Sequence, residues 1–71
     1  MGIWIKSQDK TVVTHCRSIK VWESGRVVNA LGREYIHLGD YATKERGIEV
    51  LGLIAKHIES GSDEIFEMPS K

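Results

Sequence analysis

The fold of this chain is decided by residues 43–61, which read TKERGIEVLGLIAKHIESG. At about 100° per residue, one helix face collects the apolar and small positions: Gly47, Val50, Leu51, Ile54, Ala55 and Ile58. Thr43 is a typical N-cap, and Gly61 is typical of the position that follows a helix. The sequence therefore predicts one amphipathic helix over residues 43–60.

Short segments on either side of the helix alternate apolar and polar residues, the pattern of half-buried strands. Before the helix they are residues 3–6, 11–16, 18–23, 26–31 and 34–38, separated by polar or glycine-containing turns. Residues 11–23 form either one bent strand or two. In the tail, residues 61–71, the segment 64–68 alternates again, typical of an edge strand that Pro69 would end. The prediction is an α+β fold in a single domain, 1–71: an antiparallel β-meander of four to five strands on one C-terminal helix.

The small size of the chain bears on its partners. A domain of 71 residues buries only about 60% of its unfolded surface and usually needs disulfides, a metal or a partner chain. With Cys16 as the single cysteine, no intrachain disulfide can form. We therefore expect a homodimer or a higher homo-oligomer. A lone thiol without a signal-like N-terminus favours the reducing bacterial cytoplasm.

Charge and hydropathy argue against two classes of partner. Ten basic and ten acidic residues give a formal net charge of zero, whereas proteins that bind long nucleic acid are usually basic. No run approaches the roughly 20 apolar residues that span a bilayer. A small anionic ligand remains compatible with this balance.

No pattern of catalytic or metal-binding residues is evident. The soft ligand candidates His15, Cys16, His37 and His57 match no zinc spacing. Cys16 and His15 are adjacent, so in an extended segment they point to opposite faces and cannot act together. We therefore expect a protein that is not an enzyme and needs no cofactor.

Strand alternation predicts an aromatic outer face of the sheet. If Ile3, Ile5, Ile19, Val21, Ile36 and Leu38 face the helix, the opposite face carries Trp4, Lys6, Lys20, Trp22, Tyr35 and His37. Such a face either packs against a second copy or forms a platform on which rings stack on a base while Lys or Arg holds phosphate. A third alternative is a ligand pocket at the seam of a dimer.

The predicted helix N-terminus is a second candidate site. Its free N–H groups and dipole favour an anion, and Tyr41, Thr43, Lys44 and Arg46 surround it. Arg26 and Arg33 are further candidate phosphate partners. The alternative is that Thr43 only caps the helix and the cations are solvated. On the polar side of the helix, Leu53 is either an isolated exposed leucine or a helix–helix contact.

Three stretches of the sequence form a recurrent pattern: WIKSQD at residues 4–9, LGDYATKERGIEVL at 38–51 and FEMP at 66–69. Together they resemble a family of small, mostly uncharacterised proteins from Gram-positive bacteria and their phages. Compact phage proteins of this size often disarm bacterial immunity, and some sequester nucleotide second messengers at subunit seams. The resemblance implies a phage anti-defence protein that binds a cyclic nucleotide or an ADP-ribose-type signal. The alternative is an interaction module that docks on a host protein through the aromatic face.

Overall fold

The computed structural model describes residues 3–71 and contains six strands and one helix. The elements are β1 Ile3–Lys6, β2 Val13–Cys16, β3 Ile19–Val21, β4 Arg26–Leu31, β5 Glu34–Asp40, α1 Lys44–Glu59 and β6 Phe66–Glu67. The predicted α+β class is confirmed, with the helix near the C-terminal end. Residues 11–23 contain two strands.

The six strands form two three-stranded sheets. The alternation of apolar and polar residues had instead indicated a single meander. The first sheet has the order β2-β1-β6, and the second has the order β3-β4-β5. All pairs are antiparallel except β1 with β6, which is parallel. The tail thus adds the predicted edge strand, and it ends before Pro69.

The core lies between the helix and the inner faces of both sheets. Ile5, Val27 and Val50 are fully buried, and Leu38 and Ile54 are nearly so. Burial of each such side chain contributes about 1.5–3 kcal/mol. An added Cβ at Gly47 would lie 2.7 Å from Val21 Cγ1, so the glycine lets the helix approach the second sheet closely.

The caps of α1 explain where the helix begins and ends. Thr43 Oγ1 accepts a hydrogen bond from the Arg46 backbone N–H at 3.1 Å. At the other end, Ser60 is the C-cap and Gly61 has a φ of +71°, the conformation that glycine adopts without strain. Both predicted boundaries are therefore confirmed.

The last turns of α1 are less buried than the sequence pattern indicated. Ala55 and Ile58 were expected on the core face, but both are exposed. Both residues line an open groove of about 190 Å³, whose opposite wall includes Ile3 and Ile19. The helix and the sheets therefore do not close over Ala55 and Ile58, although Ile54 beside them is buried.

A β-bulge near the end of β5 decides which side chains reach the outer face of the second sheet. Val27 pairs with Gly39, but Val28 pairs with His37, which leaves Leu38 as the extra residue. His37 and Asp40 consequently share the outer face, although strict alternation would separate them. The Asp40 backbone N–H donates to Gln8 Oε1 at 2.8 Å, which ties the bulged strand to the β1–β2 turn.

Candidate functional site

Three side chains on the outer face of the second sheet, Trp22, Tyr35 and Arg26, form what we call the aromatic cluster. The Trp22 and Tyr35 rings meet edge to face, with centroids 5.5 Å apart and planes at 81°. This geometry is the favoured one for an aromatic pair. The two residues nevertheless remain 38% and 48% exposed, so ring surface is available to a partner.

Arg26 is fixed beside the rings by an acidic neighbour. Its guanidinium carbon lies 5.7 Å from the Trp22 ring centroid, and its Nε donates to Asp40 Oδ1 at 2.8 Å. The other carboxylate oxygen of Asp40 lies 3.0 Å from His37 Nε2. The hydrogen bond from Arg26, aided by the charges of His37 and Arg26, holds the pKa of Asp40 below its usual range. The bulge at Leu38 brings these groups to one face.

The aromatic cluster also covers the sheet beneath it. Strand register places Val28 on the outer face beside Lys20 and His37, yet Val28 is only 1% exposed. Register places the Trp22 and Tyr35 rings on either side of it, where they can shield it from water.

Two cations lie close to the aromatic pair along the strands. Lys20 is in β3, on the outer face, and Arg33 is in the turn that leads into β5, two residues before Tyr35. Neither residue forms an ion pair within residues 3–71. Their charges are therefore available to an anionic group.

Trp4 does not join the aromatic cluster, which corrects the expectation of one shared platform. It lies in the first sheet, 54% exposed, with its ring centroid 5.1 Å from that of His15. Both side chains line a cleft of about 280 Å³ beside the C-terminal end of the helix, together with His57 and the loop that contains Asp63. The chain thus presents two separate aromatic surfaces.

The residues around the helix N-terminus already have partners within the chain. Tyr41 is buried, which raises its pKa, and its hydroxyl donates to the Pro69 carbonyl at 2.8 Å. Lys44 Nζ bonds Glu23 Oε1 at 2.7 Å, an interaction that raises the pKa of the lysine. Arg46 donates through Nε and Nη2 to the Lys71 carbonyl oxygen, at 2.9 and 2.7 Å.

These contacts favour one of the two interpretations of the helix N-terminus. Thr43 caps the helix, and the tail occupies the side of Arg46 that an anion would need. An exogenous phosphate would have to displace hydrogen bonds that the chain makes with itself. The predicted anion site around Tyr41, Thr43, Lys44 and Arg46 is therefore not open in this conformation.

The groups with chemical reactivity are dispersed. Cys16 is buried, which raises the pKa of its thiol to about 11. His15, beside it in sequence, is exposed and contacts Trp4 on the other side of the strand. Within residues 3–71, no three His, Cys, Asp or Glu side chains converge as metal ligands would. In the same residues, no helix has the length and apolar character required to cross a membrane.

Sequence reasoning missed several residues that shape these surfaces. Asp40 fixes Arg26 only because of the bulge, and a bulge leaves no distinct mark in a single sequence. His15 and His57 reach the Trp4 cleft through the pairing of β1 with β2 and through the position of the helix end. The polar turn at residues 7–10 suggests that β1 pairs with β2. That pairing was the only signal in the sequence that could have predicted the position of His15 beside Trp4.

Comparison of the chain with protein-family models, with curated proteins and with solved structures gives no match.

Proposed function

We propose that this protein is a non-enzymatic binding protein that sequesters a nucleotide-derived signal in the bacterial cytoplasm as a homo-oligomer. The observation that carries the proposal is the exposed, edge-to-face pair of Trp22 and Tyr35 with Arg26 fixed against it. Stacking of a base on an aromatic side chain is worth about 1–3 kcal/mol and needs no base-specific hydrogen bond.

The surroundings of the aromatic cluster suit an anionic ligand with a planar base. Lys20 and Arg33 lie near it without ion pairs in the described part of the chain, so each can neutralise phosphate charge. Arg26 is already neutralised by Asp40 and would act chiefly through its planar stacking surface. A cyclic nucleotide or an ADP-ribose-type molecule combines the required base and phosphates. The resemblance of the sequence to phage proteins supports a role against bacterial immunity.

Ligand binding can be tested by thermal melting with a panel of cyclic di- and trinucleotides and ADP-ribose derivatives. A ligand present at 100 times its dissociation constant adds about 2.7 kcal/mol to the free energy of unfolding. In a domain of this size, that gain raises the melting temperature by roughly 10–20 °C. The absence of a shift with every compound would contradict the proposal for this set of ligands.

Two aromatic-to-alanine variants locate the binding surface. Tyr35→Ala removes half of the aromatic pair and should abolish most of the shift. Trp4→Ala is the matched control, because Trp4 is similarly exposed but belongs to the other sheet. If Trp4→Ala removes the shift while Tyr35→Ala preserves it, the ligand binds in the cleft beside the helix C-terminus and our assignment is wrong.

Tryptophan fluorescence gives an independent readout. The chain has two tryptophans, so Trp4→Phe leaves Trp22 as the only one. Stacking of a base on Trp22 should then quench its emission in proportion to occupancy. Ligand binding without a change in Trp22 emission would place the base elsewhere.

A second candidate function is docking on a host protein through the same face. It is favoured by the neutral Arg26–Asp40 pair and by the combination of Trp, Tyr and Arg, the residues most enriched in interface hot spots. A photo-crosslinking amino acid at position 35 would test it in host cells. Docking predicts one defined protein adduct from position 35 and none from position 4, whereas nucleotide capture predicts no defined adduct from either.

A further inference from the structure

The helix carries an apolar stripe that neither sheet covers. Ile48 is 51% exposed, Ala55 is exposed, and Leu51 is only half-buried. At about 100° per residue, a single arc of roughly 100° contains the residues that we call the helix stripe: Lys44, Ile48, Leu51, Gly52, Ala55 and Glu59. Contiguous apolar surface of this kind is typical of an interaction site.

No contact within residues 3–71 requires a glycine at position 52. A Cβ added there would meet nothing within 4 Å, in contrast to Gly47, where it would strike Val21. In a helix, glycine costs up to about 1 kcal/mol relative to alanine. A glycine on an exposed face does, however, let a second backbone approach closely. Its position within the helix stripe points to a helix that packs there.

The helix stripe carries opposite charges at its two ends. Lys44 is in the first turn, near the positive end of the helix dipole, and Glu59 is at the negative end. Beside an antiparallel copy of the same helix, each would lie near the opposite pole of its neighbour. Lys44 already bonds Glu23, but an ammonium has further N–H donors for a second carboxylate.

We infer that the helix stripe is a twofold interface on which a second copy of this chain packs its helix antiparallel to the first. With the axis between Leu51 and Gly52, Lys44 faces Glu59 of the partner subunit, and Ile48 faces the partner's Ala55. Leu51 fills the space above the partner's Gly52. A sequence that is complementary to itself in this way favours a second copy over an unrelated partner.

The inference rests on the proposed function in one respect: it assigns the surface through which the proposed homo-oligomer forms. The dimer itself does not require a ligand. Its test is the mass of the full chain in solution without nucleotide, measured by light scattering and sedimentation at increasing concentration. We expect a dimer. A monomer up to the highest attainable concentration would overturn the inference and would leave the ligand assays of the proposed function unaffected.

Matched variants locate the interface. Ile48→Glu would bury a charge between the helices, so it should weaken the dimer at least about tenfold. Leu53→Glu is the control: Leu53 is 44% exposed, but it lies roughly 150° from the centre of the helix stripe. Gly52→Leu has open space within its own chain and should keep the circular dichroism of the folded protein while it weakens the dimer. Loss of the dimer in Leu53→Glu but not in Ile48→Glu would overturn the inference.

Charge reversal tests the antiparallel orientation. Lys44→Glu and Glu59→Lys each create like-charge pairs at both ends of a homodimer, so each should associate more weakly than the natural chain. A mixture of the two variant chains restores opposite charges at both ends and should form heterodimers preferentially. If mixing gives no preference for heterodimers, the helices are not antiparallel in the register stated.

Discussion

Gly25 is the point where the β3–β4 turn meets the link between β5 and α1. Its φ is +91°, and its carbonyl accepts a hydrogen bond from the Tyr41 backbone N–H at 3.1 Å. An alanine Cβ at this position would lie 2.4 Å from Tyr41 O and 2.7 Å from Thr43 O. Both are backbone atoms, and they cannot rotate away from the added carbon. Gly25→Ala should therefore separate the turn from the residue that caps the helix.

Gly32 provides the matched control for the size of this effect. It has a φ of +63°, but an added Cβ would meet nothing within 4 Å. The left-handed conformation costs an alanine about 1–2 kcal/mol, and the stiffer unfolded chain returns about 0.4–1 kcal/mol. Gly32→Ala should thus lose about 1 kcal/mol. Gly25→Ala adds an overpacking cost of about 1–3 kcal/mol, for a total of roughly 2–4 kcal/mol.

Urea unfolding followed by helical circular dichroism measures both losses. The whole domain is expected to have a free energy of unfolding of only about 4–10 kcal/mol, so Gly25→Ala should have a much lower midpoint or be partly unfolded in buffer. Gly32→Ala should remain folded with a modest shift. Equal losses in the two variants, within about 0.5 kcal/mol, would refute the steric argument, because the clash at Gly25 is what separates them.

Three further predictions concern the packing of the core, the loss of stability at acid pH and the reactivity of the thiol. Ile54→Ala empties a nearly fully buried site and should lower the free energy of unfolding by about 2–5 kcal/mol in the same urea assay; a loss below 1 kcal/mol would mean that the helix is not packed as described. Asp9 accepts hydrogen bonds from the Thr11 and Ser7 hydroxyls and from the Thr11 backbone N–H, which lower its pKa from 3.8 to about 2. The carboxylate therefore stabilises the fold above its unfolded pKa, and this contribution is lost as the pH falls toward 2. The natural chain should accordingly have a higher urea midpoint than Asp9→Asn above the unfolded pKa, and this difference should shrink as the pH falls toward 2. A difference in urea midpoint that does not change with pH would contradict the assignment. Cys16, with a pKa of about 11, should react slowly with iodoacetamide at pH 8 and rapidly in urea, whereas equal rates would show that it is not buried.

The local elements of this fold could be predicted from the sequence because their signals are local. The alternation at residues 3–6 and 26–31 coincides with β1 and β4, and Thr43 and Gly61 mark the ends of the helix. The division of the strands into two sheets could not be predicted in this way. Alternation determines which side chains share a face of one strand, but not which strands pair, since pairing depends on contacts distant in sequence.

The same distinction explains what could be predicted of the candidate site. Alternation correctly placed Trp22 and Tyr35 together, because β3 and β5 flank the same central strand. It misplaced Trp4, whose strand belongs to the other sheet. It also gave no indication that Asp40 would hold Arg26, because this contact requires the extra residue at Leu38.

The two proposed surfaces belong to different layers of the fold, and this arrangement constrains how binding and assembly are related. The helix packs against the inner face, where Gly47 meets Val21, whereas Trp22 and Tyr35 project from the outer face. A dimer formed through the helix stripe would therefore leave both aromatic clusters uncovered. This arrangement favours one ligand per chain, bound without cooperativity, over a pocket shared at the seam. If the outer face were instead the dimer interface, ligand and partner would compete for the same rings, and added nucleotide would dissociate the dimer.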